Sequence, residues 1–266
     1  DVHSGSILSN IALAGDHITL DATGGILLGD VSANNSLTLT SGTDIFAGNL
    51  SSGGNMFLAA DGGIAVGNIF GGAIDFDAGG GITLGNVHGD SFEFSSGGSV
   101  SGGNIFVATQ VGGDAEGAIH FGDITVSPTV DQEGSGDFSI GIASATSIDV
   151  GDVSSTGSVG FATLGDLTTG DVTAGDVFLA LVGGDMLTGS IATASNGRVY
   201  IGNASMFLAA GGPDDFDPSI VLAANPVATG GSITVEGPVT TGLLQAAAGT
   251  GLNVGDVTAH SSANLR

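Results

Sequence analysis

Apolar residues along this chain recur in columns separated by steps of about 19 residues. One column reads Ile18, Leu37, Met56, Ile74 and Phe92, and the next reads Leu20, Leu39, Leu58, Phe76 and Phe94. Both hold without gaps. In four of these five repeats Thr, Asp or Glu stands between them, the period of two that marks a strand with one buried face. A glycine turn follows, then a second short apolar pair: Ile26/Leu28, Ile45/Ala47, Ile64/Val66 and Ile82/Leu84. A third column, Val31, Leu50, Ile69, Val87 and Ile105, comes directly after a small residue and an Asn or Asp.

The small-Asx-aliphatic motif is the most regular feature. It occurs as Ser9-Asn10-Ile11, Gly29-Asp30-Val31, Gly48-Asn49-Leu50, Gly67-Asn68-Ile69, Gly85-Asn86-Val87, Gly103-Asn104-Ile105 and Gly122-Asp123-Ile124. It returns at Gly151-Asp152-Val153, Gly170-Asp171-Val172 and Gly189-Ser190-Ile191, then at Gly237-Pro238-Val239 and Gly255-Asp256-Val257. Each repeat therefore holds two short strands and a third extended stub. One such unit cannot bury its own apolar face, whereas stacked units can. The expected fold is all-β: a right-handed parallel β-helix of about 14 coils of roughly 19 residues, with three faces per coil, forming one domain over residues 1–266. At about 4.8 Å per rung such a rod would be roughly 65–70 Å long.

The Gly-Asx pairs are expected at corners, where positive φ favours Gly and then Asn or Asp. Carboxylates stacked at rung spacing repel by roughly 0.9 kcal/mol even in bulk water. Asn49, Asn68, Asn86 and Asn104 avoid this and are expected to form amide ladders, while Asp152 and Asp171 need exposure or a bound cation.

Two stretches break the step, and both read as loops off a corner: one near 127–137, containing Ser127-Pro128-Thr129-Val130, and one near 211–219, containing Pro213-Asp214-Asp215-Phe216-Asp217-Pro218. Between Gly165 and Gly184 several Gly-Asp pairs compete, and the pattern leaves the register open. Asp214, Asp215 and Asp217 are candidate calcium ligands, although their spacing fits neither an EF-hand nor a tandem calcium-roll repeat. No other metal or cofactor is expected. Neither end of the pattern resembles a cap, so the chain is expected to be a segment of a longer array or to have its ends covered by neighbouring subunits.

Composition narrows the function. The chain has 266 residues with 50 Gly, no Cys, no Trp and 27 Asp+Glu against 2 Arg and no Lys, for a formal charge of -25. Such a chain cannot bind nucleic acid by releasing counterions, and no apolar run is long enough for a spanning helix. A polysaccharide lyase needs a base and cations to neutralise uronate, and Arg198 is the only cation away from the final residue. A glycoside hydrolase needs two carboxylates in a cleft. Carboxylates abound, but Tyr200 is the only Tyr and Trp is absent, so sugar-stacking platforms are scarce. His3, His17, His88, His120 and His260 are scattered and expected on the surface. Glycine runs such as Gly79-Gly80-Gly81 lead into strand sequence, not a phosphate-binding helix. A flat ice-binding array is also unsupported, because Thr38 and Thr40 give way one coil later to Phe57 and Ala59.

The alternation of Ser36-Leu37-Thr38-Leu39-Thr40-Ser41-Gly42 with Ile82-Thr83-Leu84-Gly85-Asn86-Val87, and the block from Leu167 to Val177, resemble the repeats of filamentous-haemagglutinin-like bacterial exoproteins. That resemblance covers most of the chain. It implies a right-handed β-helix, a very large secreted or cell-surface adhesin, and export through an outer-membrane partner. The expected role is a non-catalytic structural or adhesive segment of an extracellular fibre or surface adhesin. Its expected partners are like β-helix segments end to end and an undefined host or cell-surface glycan or protein. Two alternatives stay open: a self-assembling filament or sheath subunit, and a β-helix polysaccharide-degrading enzyme.

Overall fold

The computed structural model describes residues 2–9, 13–127, 138–202 and 230–266. These residues form an all-β parallel solenoid with no helix. A typical coil contains three strands, Leu50–Ser52, Met56–Ala60 and Ile64–Ala65. We call their positions the first, second and third faces.

The first and second faces belong to a single 19-stranded sheet among the described residues, and the third face forms a 12-stranded sheet. The larger sheet is continuous because some strands run through the corner between the two faces, as Val31–Ser41 and Val87–Ser96 do. The register shift between Gly89 and Ser91 absorbs one such bend.

The apolar columns read from the sequence are ladders of paired residues. On the second face Leu37, Met56, Ile74 and Phe92 stack in register, and so do Leu39, Leu58, Phe76 and Phe94. The first column continues through Val111, Ile140, Val159, Phe178 and Val199 to Leu244. All of these side chains are buried in one core between the two sheets. One stretch of it is aromatic: Phe92 packs on Phe76, Phe94 and Phe121 with ring centroids 5.9, 5.5 and 6.4 Å away. Gly113 follows Phe94 in its column, and a Cβ there would lie 2.7 Å from two atoms of that ring. Inward hydroxyls at the corners are satisfied locally; Ser41 Oγ, for example, donates to the carbonyls of Gly24 and Asp44.

The structure corrects four expectations. The stack has about 11 turns, not 14, which shortens the rod to about 53 Å at the usual rung spacing. Dividing chain length by a uniform step overcounts, because residues paired across one turn near His120 are 29 apart and those across another near Asp185 are 47 apart, against 18 or 19 across most others. The first repeat is offset by two residues, since Leu13, not Ile11, pairs with Val31.

The corner glycines do not use positive φ. Among the described residues Gly113, at 154°, is the one position with a positive value. Corner glycines are instead required by close stacking, as at Gly85, where a Cβ would lie 2.9 Å from the Asn68 backbone nitrogen. The expected amide ladder is likewise a side chain to backbone ladder. Between Gly165 and Gly184 the competing Gly-Asp pairs resolve simply. Asp166, Asp171, Asp176 and Asp185 precede the strands Leu167–Thr169, Val172–Ala174, Val177–Val182 and Met186–Thr188, one pair at each successive corner.

Candidate functional site

The Asx residues are structural. The Asn49 N–H donates to Asp30 Oδ1 at 2.7 Å, Asn68 N–H to Asn49 Oδ1 at 2.9 Å, and Asn86 N–H to Asn68 Oδ1 at 2.9 Å. The chain of bonds continues through Asn104, Asp123, Asp152 and Asp171 to the Ser190 N–H. A second, shorter ladder runs from Asp166 through Asp185 to Ser232. An N–H pointed at Oδ1 stabilises carboxylate and amide alike, which explains why Asn and Asp interchange. The Ser190 backbone N–H, and then its hydroxyl, hold the Asp171 carboxyl below its ordinary value; Ser232 does the same for Asp185. Acids with a lowered folded pKa stabilise the fold above the ordinary carboxylate range, and that contribution is lost as pH falls through the lowered value.

The outward side of the second face holds a groove of about 740 Å³. Pairing register builds it from two outward columns. One runs Phe57, Asp75, Glu93, Gly112, Gly141, Gly160 and Leu179. The other runs Asp77, Ser95, Asp114, Ala143, Ala162 and Leu181. Acids therefore line one end, glycines the floor, and aliphatic groups the other end, with the Phe138 ring against Gly160.

The aliphatic end is part of a second apolar cluster outside the main core, formed by Ala143, Ala162, Val177, Leu179, Leu181 and Tyr200. Strand Val177–Val182 is consequently buried on both faces. Burial of the Tyr200 phenol in this cluster pushes its pKa up.

Asp75 is exposed as a residue, yet its carboxyl stands against the groove wall. Partial burial, and then the neighbouring charge of Asp77, push its pKa above the ordinary 3.8. A raised acid pKa works against the fold once the group ionises: the penalty is absent below the ordinary value and grows as pH rises through the folded one. Asp75→Asn is therefore expected to raise the melting temperature at pH 7 and to leave it unchanged at pH 3. Calorimetry at the two pH values checks this; an equal shift at both would show that charge is not the cause.

The remaining candidates fall elsewhere. His17, His88, His120 and His260 are exposed, as expected. His88 is sandwiched between Phe70 and Phe106 on the first face, with centroids 4.5 and 5.1 Å apart, and His120 meets Asp149 at 3.0 Å on the third. Leu8, Leu27 and Phe46 form an exposed apolar stripe at the start of the third face. Among the described residues no group of three or more His, Cys, Asp or Glu could hold a metal ion. Asp214, Asp215 and Asp217, with the loop near 211–219, lie outside the described residues, as does the 127–137 loop apart from Ser127.

The groove escaped the sequence reading, although two signals for it exist. The unalternating run Val177-Phe178-Leu179-Ala180-Leu181-Val182 marks a strand buried on both sides. The outward glycines Gly112 and Gly141 break the pattern of polar exterior positions. Comparison with known proteins gave no match: no family model, curated protein or solved structure is significantly similar to the chain.

Proposed function

We propose that this protein is a non-catalytic adhesive scaffold, a β-solenoid segment of an extracellular fibre or cell-surface adhesin of the filamentous-haemagglutinin-like kind. The observation that carries the reading is the groove itself. It lies along the rod axis on a surface whose position is set by rung after rung of paired strands, so a rigid stack presents a binding surface to its surroundings. The acidic exterior keeps a long β surface soluble and discourages lateral pairing. Like segments, of this chain or another, are its proposed end-to-end partners, because each coil stacks on the next by parallel pairing in register.

Binding of the labelled chain to cell surfaces and to glycan and protein arrays, without turnover of any ligand, is the result this reading requires. Calcium at Asp214, Asp215 and Asp217 remains part of the proposal, tested by whether a chelator changes that binding.

A polysaccharide-degrading reading has one observation in its favour. Asp75, with its raised pKa, sits one rung from Glu93 in the groove, a pairing suited to a general acid and its partner carboxylate. Release of reducing ends from a polysaccharide, lost in Asp75→Asn and in Glu93→Gln, would replace the adhesive reading with this one.

A further inference from the structure

The Asx ladder changes chemistry along the rod. From Asn49 to Asp123 the rungs are joined by amides: the N–H groups of Asn68, Asn86, Asn104 and Asp123 each donate to the Oδ1 of the Asn one rung beneath, at 2.8–3.0 Å. Beyond Asp123 the acceptors are carboxylates, because Asp152 donates to Asp123, Asp171 to Asp152 and Asp185 to Asp166. An amide accepts the same bond at any pH. A carboxylate loses its charge in acid, and with it the strength of a charge-assisted bond.

Both carboxylate ladders end on a serine. The Ser190 N–H donates to Asp171 Oδ1 at 2.7 Å, and its hydroxyl is a second donor. The Ser232 N–H and hydroxyl both donate to Asp185 Oδ1, at 2.7 and 2.8 Å. Two donors on one carboxylate favour its charged form more than one does. Asp30, at the other end of the main ladder, also has a second donor, the Asn49 side-chain amide, at a longer 3.2 Å. The titratable groups facing the two serine-capped acids are Asp152 and Asp166 on the rungs beneath, and Glu236 at the same corner one rung above Ser190. Serine, not a cation, holds both acids in their charged form.

These capped acids sit where the stack is hardest to close. Met186–Thr188 pairs with Ser232–Val235 across the 47-residue step, and Ile191–Thr193 pairs with the strand that begins at Val239. Closing a step of that length from the unfolded chain costs more entropy than closing one of 19. Asp185 fastens this junction directly, and Asp171 holds Ser190, which leads into its lower strand. The bond between Thr193 Oγ1 and Thr241 Oγ1 at 2.8 Å, across the same junction, is neutral.

We propose that the Asp171–Ser190 and Asp185–Ser232 contacts form an acid-released clamp: when the two carboxylates protonate, the rod loosens first where residues 186–193 meet 232–239, while the amide-laddered rungs from Asn49 to Asp123 stay closed. A one-dimensional stack permits such local opening, since each coil is held by its neighbours alone. Both acids are held below their ordinary 3.8, so the clamp is at full strength above that value and is lost as pH falls through the lowered one. The clamp is independent of what the groove binds.

The test is amide hydrogen exchange of the full chain, followed by NMR at pH 5.0 and pH 2.5 and expressed as protection relative to the unfolded rate at each pH. The Ser190 and Ser232 amides are the clamp bonds themselves. Their protection is expected to fall about threefold or more in acid, while that of the Asn68 and Asn86 amides changes by less than about twofold. In Asp171→Asn/Asp185→Asn the fall is expected to vanish, because asparagine accepts the same N–H without titrating. Asp61→Asn, at an exposed acid elsewhere, is expected to leave it intact.

A fall of equal size at Asn68 and Asn86 would mean that acid loosens the rod as a whole, and would overturn the proposal. So would unchanged protection at Ser190 and Ser232, or a fall that survives in the double asparagine variant. The serine and asparagine amides are compared within the unsubstituted chain, so the outcome stands even if that variant fails to fold.

Discussion

Phe92→Ala is expected to lower the unfolding free energy by about 3–5 kcal/mol, the range for emptying a buried aromatic site. Phe92 is 0% exposed and touches three other rings, so the cavity opens where neighbouring aromatics cannot close it without leaving their own rungs. In a stacked repeat the damage is carried by the interfaces with the coils above and below, so it registers in the whole transition. Urea denaturation followed by circular dichroism measures it. Phe57→Ala makes the comparison: Phe57 lies two coils away and points outward, and its loss is expected to change stability by less than about 0.5 kcal/mol. Equal costs at the two positions would mean that inward and outward faces are wrongly assigned.

Gly85→Ala is expected to cost about 1–3 kcal/mol, as overpacking does in a close-packed interior. A Cβ on Gly85 would lie 2.6 Å from Asn68 Oδ1, 2.9 Å from the Asn68 nitrogen and 3.0 Å from the Gly67 carbonyl carbon. Two of those atoms are backbone, so relief requires moving a coil. Gly85→Asn separates this cause from a left-handed backbone. Were positive φ the reason for glycine, asparagine would be tolerated much better than alanine. Because the reason is contact between coils, both are expected to destabilise to a similar extent, and Gly141→Ala, with room around it, is expected to be nearly neutral. Thermal melts of the three variants decide the matter.

These two positions show what sequence pattern carries and what it does not. The alternation of Leu37-Thr38-Leu39-Thr40 and its repetition nineteen residues later specify strands, their buried face and their partners, because a register slip of one residue would turn every apolar side chain outward. The parallel stack follows directly. The reason for glycine at corners was not legible in the same way. Steric exclusion by the coil beneath and demand for positive φ both select glycine, and only atomic positions distinguish them.

The Asx ladder has the same character. Spacing brings Asn68 and Asn86 together, but a bond from backbone N–H to side-chain oxygen and a bond between two amides have one and the same sequence signature. Coil number is not legible from chain length for a simpler reason: an insertion adds residues without adding a rung.

The groove was the least legible feature. Its acids, glycines and aliphatic groups come from coils spread between Asp75 and Leu181, and each is unremarked within its own repeat. They become neighbours only when outward columns are read along the rod axis. The candidate calcium residues Asp214, Asp215 and Asp217 stood out for the opposite reason: they are adjacent in sequence.

Everything proposed for the exterior depends on surface positions being ordered by rung count along one stack. The chain has no Cys, so a pair of spin labels can be introduced without competing sites. Leu27 and Leu187 are both exposed on the third face and lie in one outward column, through Phe46, Ala65, Thr83, Ser101, His120, Asp149 and Thr168. Double electron-electron resonance on Leu27→Cys/Leu187→Cys is predicted to give a single distance near 38 Å, the length of roughly eight rungs. A distance below about 30 Å, or a broad distribution without a dominant peak, would contradict the stack and with it the groove.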